Sequence, residues 1–312
     1  MKTLSVVVPV FNEGGNVEEL YLSLCRVLND TGLSYELLFV DDGSSDQTFA
    51  VLKKLSEQDE RLKIIGFLRN CGQTGALAAG IRGAYGQYII TLDGDLQNDP
   101  SDIPLLLSEI EQGFDIVSGW RKNRQDSFGR SFVSRLANSL AARITGLELH
   151  DYGCSLKIYR AETLQRINLY GEMHRFLPLW AYLKGAKVKE VVVQHHARKS
   201  GRSKYGYQRT LRVLLDMFLF YFLFHAIKPL PFFAFFFCLF LGFFLFSGLA
   251  FFISQNLYLL FFASIFFCSA LFSLLFGLIL ELILRTHYLS QNESQYIIRH
   301  IINMENHPDY FA

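Results

Sequence analysis

Apolar residues in the first two-thirds of the chain come in short β-branched runs, each closed by polar or turn residues, with stretches of helical period between them. Residues 4–10, 36–40, 62–67, 88–92 and 114–118 are the strand candidates. Residues 17–28, 48–58 and 74–84 read as helices. This alternation predicts an α/β fold: a mostly parallel, Rossmann-like sheet with helices on both faces. Ligands in such sheets gather beyond the carboxyl ends of the strands. The polar residues that follow each strand are therefore the candidate site.

After Lys228 the pattern changes. Residues 231–253 and 257–280 carry no charged side chain, and at about 1.5 Å per helical residue each run is long enough to cross a hydrocarbon core of roughly 30 Å. Ser254, Gln255 and Asn256 form a short uncharged turn between them, while Lys228 precedes the pair and Arg285 follows it. Positive charge at the outer ends predicts both termini on the cytoplasmic side of a membrane that the chain crosses twice. Residues 207–225 mix Arg209, Arg212 and Asp216 with Leu, Phe and Tyr, as in a helix lying among membrane lipids at the interface. The expected organisation is a catalytic domain over 1–206, an interfacial amphipathic helix over 207–228, a two-helix anchor over 229–285 and a cytoplasmic tail over 286–312, polar and without a readable motif.

Composition supports two environments. The 30 phenylalanines crowd between Phe218 and Phe276. A net charge of +1 gives no global field for nucleic acid, so none is expected as a partner. The five cysteines form no CxxC pair and stand apart from any histidine at zinc-ligand spacing, which suits a reducing compartment without a disulfide framework. The run 4–10, broken by Pro9 and followed by Asn12 and Glu13, is too short for a signal-peptide core.

Three strand ends carry chemistry. Asp93-Gly94-Asp95 follows the fourth strand, with Gln97 two residues on; two carboxylates and an amide oxygen at alternating positions suit a hard cation, Mg²⁺ or Mn²⁺, able to neutralise a departing diphosphate. Asp41-Asp42-Gly43-Ser44-Ser45-Asp46 follows the second strand; Asp42 is assigned to a base or ribose and Asp46 to capping the next helix. Glu13 ends the first strand and lies near Asp42 if the two strands are neighbours.

The segments VVVPVFNE, VDDGSSD, LDGDLQNDP and RKNRQDS resemble, in motif order, a family 2 glycosyltransferase with the GT-A fold. The similarity is greatest to the polyprenyl-phosphate sugar transferases, a group that includes dolichyl-phosphate mannose synthase, bactoprenol glucosyltransferase and the undecaprenyl-phosphate formamido-arabinose transferase. The resemblance implies inverting transfer from a nucleoside diphosphate-sugar to polyprenyl phosphate, with UDP favoured over GDP and a glucose or formamido-arabinose type of sugar favoured over mannose. It places the nucleotide-sugar on Pro9, Phe11, Glu13, Asp42 and Asp93, and the metal on Asp93, Asp95 and Gln97. Arg121, Arg135 and Ser139 match acceptor-phosphate positions, in keeping with the shape of the guanidinium fork. The basic loop HARKSGRSKY adds Arg198, Ser203 and Lys204 to the anionic headgroup. Asp151 is the candidate general base or a residue that orients an arginine or the sugar, and Asp95 and Arg121 complete the catalytic set. His195 and His196 are expected at a strand end without catalytic work.

Two other readings compete. A polysaccharide-extending family 2 transferase would bring more membrane helices and a QxxRW-like element, which this sequence lacks. A catalytically inactive membrane scaffold would not need Asp93, Asp95, Gln97 and Arg121 together. Two helices anchor a monomer and a homo-oligomer equally well.

Overall fold

The computed structural model describes residues 3–122, 146–164, 169, 173–196, 229–289 and 296–304. They fall into a sheet-based unit and a helical unit.

In the first, β1 (Thr3–Val10), β2 (Ser34–Asp41), β3 (Leu62–Phe67), β4 (Tyr88–Thr91), β5 (Ile116–Trp120), β6 (Lys157–Arg160), β7 (Val188–Val192) and β8 (Ile298–Ile302) make one sheet. Its order is β7-β5-β6-β4-β1-β2-β3-β8. The helices are α1 (Val17–Asp30), α2 (Thr48–Ser56), α3 (Gln73–Arg82), α4 (Ile103–Ile110) and α5 (Leu177–Leu183). Strands β1 to β4 run parallel, in register Val10 against Asp41 and Val7 against Thr91. The sheet as a whole is mixed, because β6 runs antiparallel between β4 and β5, and β8 runs antiparallel to β3.

The alternating side chains of β1 feed two cores. Leu4, Val6 and Val8 pack with Val17, Leu20, Leu24 and Leu28 of α1 and with Ile103 and Leu106 of α4. The spacing of the α1 set is what makes a single buried stripe, and each such side chain contributes about 1.5–3 kcal/mol on full burial. On the other face, Val7 meets Val40, Ile65 and the small residues Ala76 and Ala79 of α3. A Cβ at Gly80 would stand 2.3 Å from Val7 Cγ1, so glycine is what lets α3 lie this close to the sheet. That contact fixes where the N-terminus of α3 points.

The segment read from sequence as a motif-free tail supplies β8. Ile302 pairs with Ile64 and Ile301 with Ile65. Asn303 Nδ2 donates to Ser56 O at 3.1 Å and Leu62 O at 2.9 Å, and Tyr296 stacks on Phe67.

The second unit is a helical pair, α6 (Pro229–Ser254) and α7 (Leu257–Leu289). Residues 233–254 and 257–283 are long and apolar enough to cross a membrane. Phe246, Phe252 and Ile253 are more than two-thirds exposed, whereas a core helix of a water-soluble protein would bury them. Small residues sit where the helices meet: Ser247, Ala263 and Ala270 are buried, and Ser273 Oγ donates to Phe233 O at 3.0 Å. This is the packing expected where close van der Waals contact, rather than exclusion of water, holds helices together. At the turn, Asn256 Oδ1 accepts the Tyr258 N–H at 3.1 Å and caps α7.

Candidate active site

The parallel order brings the ends of β1, β2 and β4 side by side, and a backbone bond from Asp42 N to Val10 O at 2.9 Å ties the first two together. Pro9 lies in β1 beside Val40, and Phe11 follows at its end, half-buried. The Glu13 carboxylate accepts the Asn16 side-chain N–H at 2.6 Å, and its backbone N–H donates to Thr48 Oγ1 at 2.9 Å. Asp46 accepts the Thr48 N–H at 2.9 Å at the start of α2 and the Gly14 N–H at 3.1 Å. Asp42 is buried, and its carboxylate takes three donors: Cys71 N at 2.7 Å, Gly72 N at 2.9 Å and Asn70 Nδ2 at 2.9 Å. Burial pushes its pKa up, against the opposing pull of the Cys71 and Gly72 N–H groups.

The Asp93-Gly94-Asp95 turn sits against β1. A Cβ on Gly94 would come within 2.6 Å of Val10 Cγ1, so the glycine between the carboxylates is required by the neighbouring strand. Asp93 Oδ1 accepts Gln73 Nε2 at 2.6 Å, and Asp93 N donates to Ser155 Oγ at 3.2 Å. Asp95 is buried, and its Oδ1 accepts Gln97 N at 3.2 Å. Leu96, between them, has φ of 59°, a left-handed conformation that a branched side chain adopts only where its surroundings compel it. Burial first, and the charge of Asp95 second, push the Asp93 carboxyl up to about 6. A carboxylate raised by burial and by the charge of a second carboxylate beside it belongs to the kind of donor set a divalent cation satisfies. Among the described residues no cluster of three or more His, Cys, Asp and Glu forms a closed metal cage; an open site shared with phosphate oxygens and water is how Mg²⁺ is usually held.

Arg121, just past β5, faces Asp151. Nε and Nη2 donate to Oδ2 and Oδ1 at 2.7 and 2.9 Å, and Asp151 Oδ1 also accepts Gly153 N at 3.1 Å. Burial alone would loosen the guanidinium's proton, and the Asp151 carboxylate more than reverses this. The positive charges of Arg121 and Arg175 both act on Asp93. The 151–157 segment thus closes on the Asp93-Gly94-Asp95 turn, with Ser155 Oγ also donating to Asn98 Oδ1 at 2.8 Å. Lys157 lies buried beneath, donating to Tyr152 O at 3.2 Å and Arg175 O at 3.4 Å, and burial lowers it to about 8. His196 Nε2 pairs with Asp99 Oδ2 at 2.8 Å, and His195 bridges to Asn98, so both histidines dock the segment after β7 on the residues that follow the Asp93-Gly94-Asp95 turn.

The structure therefore brings together Asp42, Asp93, Asp95, Arg121 and Asp151. Arg135, Ser139, Arg198, Ser203 and Lys204, with the interfacial helix, lie outside the described residues. Sequence reasoning missed Gln73, Ser155 and Arg175. The first had a readable signal, since RNCGQ follows β3 as the other site segments follow β1, β2 and β4.

Comparison with known proteins fits this geometry. Residues 5–167 match the family described as Glycosyl transferase family 2. Over 219 residues the chain is 48% identical to a dodecaprenyl-phosphate galacturonate synthase from Rhizobium johnstonii, a match that covers 69% of this chain but only 65% of the relative's length. Over 218 residues it is 38% identical to the undecaprenyl-phosphate 4-deoxy-4-formamido-L-arabinose transferase of Salmonella paratyphi B, covering 70% of this chain and 67% of that one. Among solved structures, glucosyl-3-phosphoglycerate synthase from Mycobacterium tuberculosis, in complex with Mn²⁺ and UDP-glucose, superposes with a TM-score of 0.56 at 19% identity, over 70% of this chain and 79% of that one. Mannosyl-3-phosphoglycerate synthase from Rubrobacter xylanophilus does so with a TM-score of 0.59 at 14% identity, over 71% and 74%. These two share the GT-A type of fold; on the family match and the relatives, the chain belongs to glycosyl transferase family 2.

Proposed function

We propose that this protein moves a sugar from a nucleoside diphosphate-sugar to a polyprenyl phosphate at the cytoplasmic face of a bacterial inner membrane. The observation that carries the reading is the meeting of the Asp93/Asp95 pair with the Arg121–Asp151 pair at the strand ends, in a chain that also bears two apolar helices. Both relatives above are named for polyprenyl-phosphate products. Their names favour galacturonate or 4-deoxy-4-formamido-L-arabinose as the sugar; UDP as the carrier is the choice the motif resemblance favours.

In this reading Asp42 has one acceptor position left after its three protein donors, enough for one N–H of a base. Asp93 and Asp95, with Gln97, hold a divalent cation. When bound, the cation neutralises the charge that builds on the departing diphosphate. Arg121 holds the acceptor phosphate, one oxygen of which attacks the anomeric carbon as the bond from that carbon to the diphosphate oxygen breaks, inverting the centre. A phosphate with a second pKa of about 6 is already largely ionised at neutral pH, so no general base is needed. Asp151, gripping Arg121 with both oxygens, then serves to aim the guanidinium. Positive residues at the outer ends of the helical pair support a topology with both termini on the cytoplasmic side.

The test is to incubate the purified full-length protein with Mg²⁺ or Mn²⁺, undecaprenyl phosphate and a panel of radiolabelled UDP- and GDP-sugars that includes UDP-galacturonate. Label entering the organic phase from one sugar supports the reading. Label appearing only in a water-soluble polymer, or in no product with any donor, overturns it.

A further inference from the structure

The segment after β3 is unusual in serving two carboxylates on different strands. Asn70, Cys71 and Gly72 place three N–H groups on Asp42, at the end of β2. The next residue, Gln73, places its side-chain N–H on Asp93, at the end of β4, at 2.6 Å. β1 lies between β2 and β4, so the two carboxylates stand two strand spacings apart, about 10 Å. Four consecutive residues bridge that gap.

The bridge is built from backbone constraints. Gly72 has φ of 90° and ψ of 160°, a region open essentially to glycine alone. It lets the chain present Cys71 N and Gly72 N to Asp42 and then turn into α3, with Gln73 as the first helical residue. Gly43, next to Asp42, has φ of 69°, and a Cβ there would stand 2.6 Å from the Arg69 carbonyl carbon; its absence lets the two loops lie directly on one another. On the other side, Thr74 Oγ1 pairs with the buried His174 Nδ1 at 2.7 Å. With α3 pressed onto β1 through Gly80, Gln73 projects from a frame fixed on three sides.

We propose that Gln73 is a positioning residue for Asp93, and that residues 70–73 form a strut that sets the nucleotide carboxylate and the cation carboxylate at one fixed separation. This rests on the assignment of Asp93 and Asp95 to the cation. An ionised carboxylate held by a charge-assisted N–H keeps one orientation. Without that donor it rotates, and each cation bound must first order it.

The experiment measures Mn²⁺ affinity by the loss of the free-ion EPR signal, using the full-length protein in detergent with UDP present. Gln73→Met, which keeps the stem and removes the donor, is expected to weaken Mn²⁺ binding about tenfold. Gln73→Ala should show the same loss. UDP affinity without metal should stay within twofold of wild type, since all three donors to Asp42 remain, a result that separates positioning from general damage to the fold. In an Asp93→Asn background, Gln73→Met should change Mn²⁺ affinity by less than twofold. Wild-type affinity in both Gln73 variants, or an undiminished loss in the Asp93→Asn background, overturns the proposal. Asp95→Ala separates the two levels of the argument. If wild type and Asp95→Ala bind Mn²⁺ alike, the cation assignment itself fails; if Asp95→Ala loses binding while both Gln73 variants keep it, only the strut fails.

Discussion

Replacing Asp151 by Asn distinguishes a carboxylate that aims an arginine from one that removes a proton. The two side chains are 10% and 14% exposed and joined by two parallel bonds. The amide retains one acceptor and turns an N–H towards the guanidinium, leaving a buried charge half-satisfied. Breaking a buried pair from one side costs about 3–5 kcal/mol. With one acceptor retained, the lower end applies, and at about 2–4 °C per kcal/mol for a domain of this size the melting temperature should fall by about 6–12 °C. Trp120 precedes Arg121 in the chain, so intrinsic fluorescence of the full-length protein follows the change, and transfer to lipid is assayed on the same samples. In an Arg121→Lys background, Asp151→Asn should cost less than in the wild type, because the two parallel bonds of the guanidinium fork are already gone. The reasoning is refuted if the melting temperature stays within 2 °C of wild type while turnover falls a hundredfold, and the same factor persists in the Arg121→Lys background. That pattern would mark a base acting directly on the reaction.

Gly43→Ala puts a Cβ 2.6 Å from the Arg69 backbone at φ of 69°; it should destabilise the protein by about 2–4 kcal/mol and weaken UDP binding, read by calorimetry, and unaltered values for both would show that the two loops can separate freely. His174 is held neutral well below its ordinary pKa, by burial first and then by the charges of Arg175 and Lys157. The unfolded chain protonates this residue near pH 6.5 and the folded one does not, so stability is fully present above that pH and declines as pH falls below it; His174→Gln should flatten the denaturation midpoint between pH 6.5 and 5, and an unchanged slope would exclude the residue.

Much of the sheet was legible because its strands are buried on both faces and read as continuous apolar runs. Val6 to Val8 and Leu37 to Val40 are fully buried, as that pattern requires. Strands β6 and β7 were missed for the opposite reason: Lys157, Arg160, Lys189 and Glu190 interrupt them, and only the fold reveals that Lys157 is buried. The acidic motifs announced themselves by following apolar strands. Gln73 shared that position, in the segment after β3, but its role did not show, since a neutral amide at a helix start looks like surface and its meaning depends on the first residue of α3 coming to Asp93. That Asp151 orients an arginine was one of the readings, but which arginine was hidden, because 30 positions separate it from Arg121 and β6 has to double back between β4 and β5.

The placement of β8 bears on how the molecule is made and handled. The ribosome delivers this strand only after both apolar helices have been synthesised, so during translation the β3 edge waits, with its amides and carbonyls bare, until residues 296–304 emerge. A soluble fragment cut before that hairpin would keep the edge open for good and lose the cover of Tyr296, Asn303 and Met304. Such a truncation invites strand-to-strand self-association, and adding residues 296–304 back through a short linker is the remedy the topology recommends.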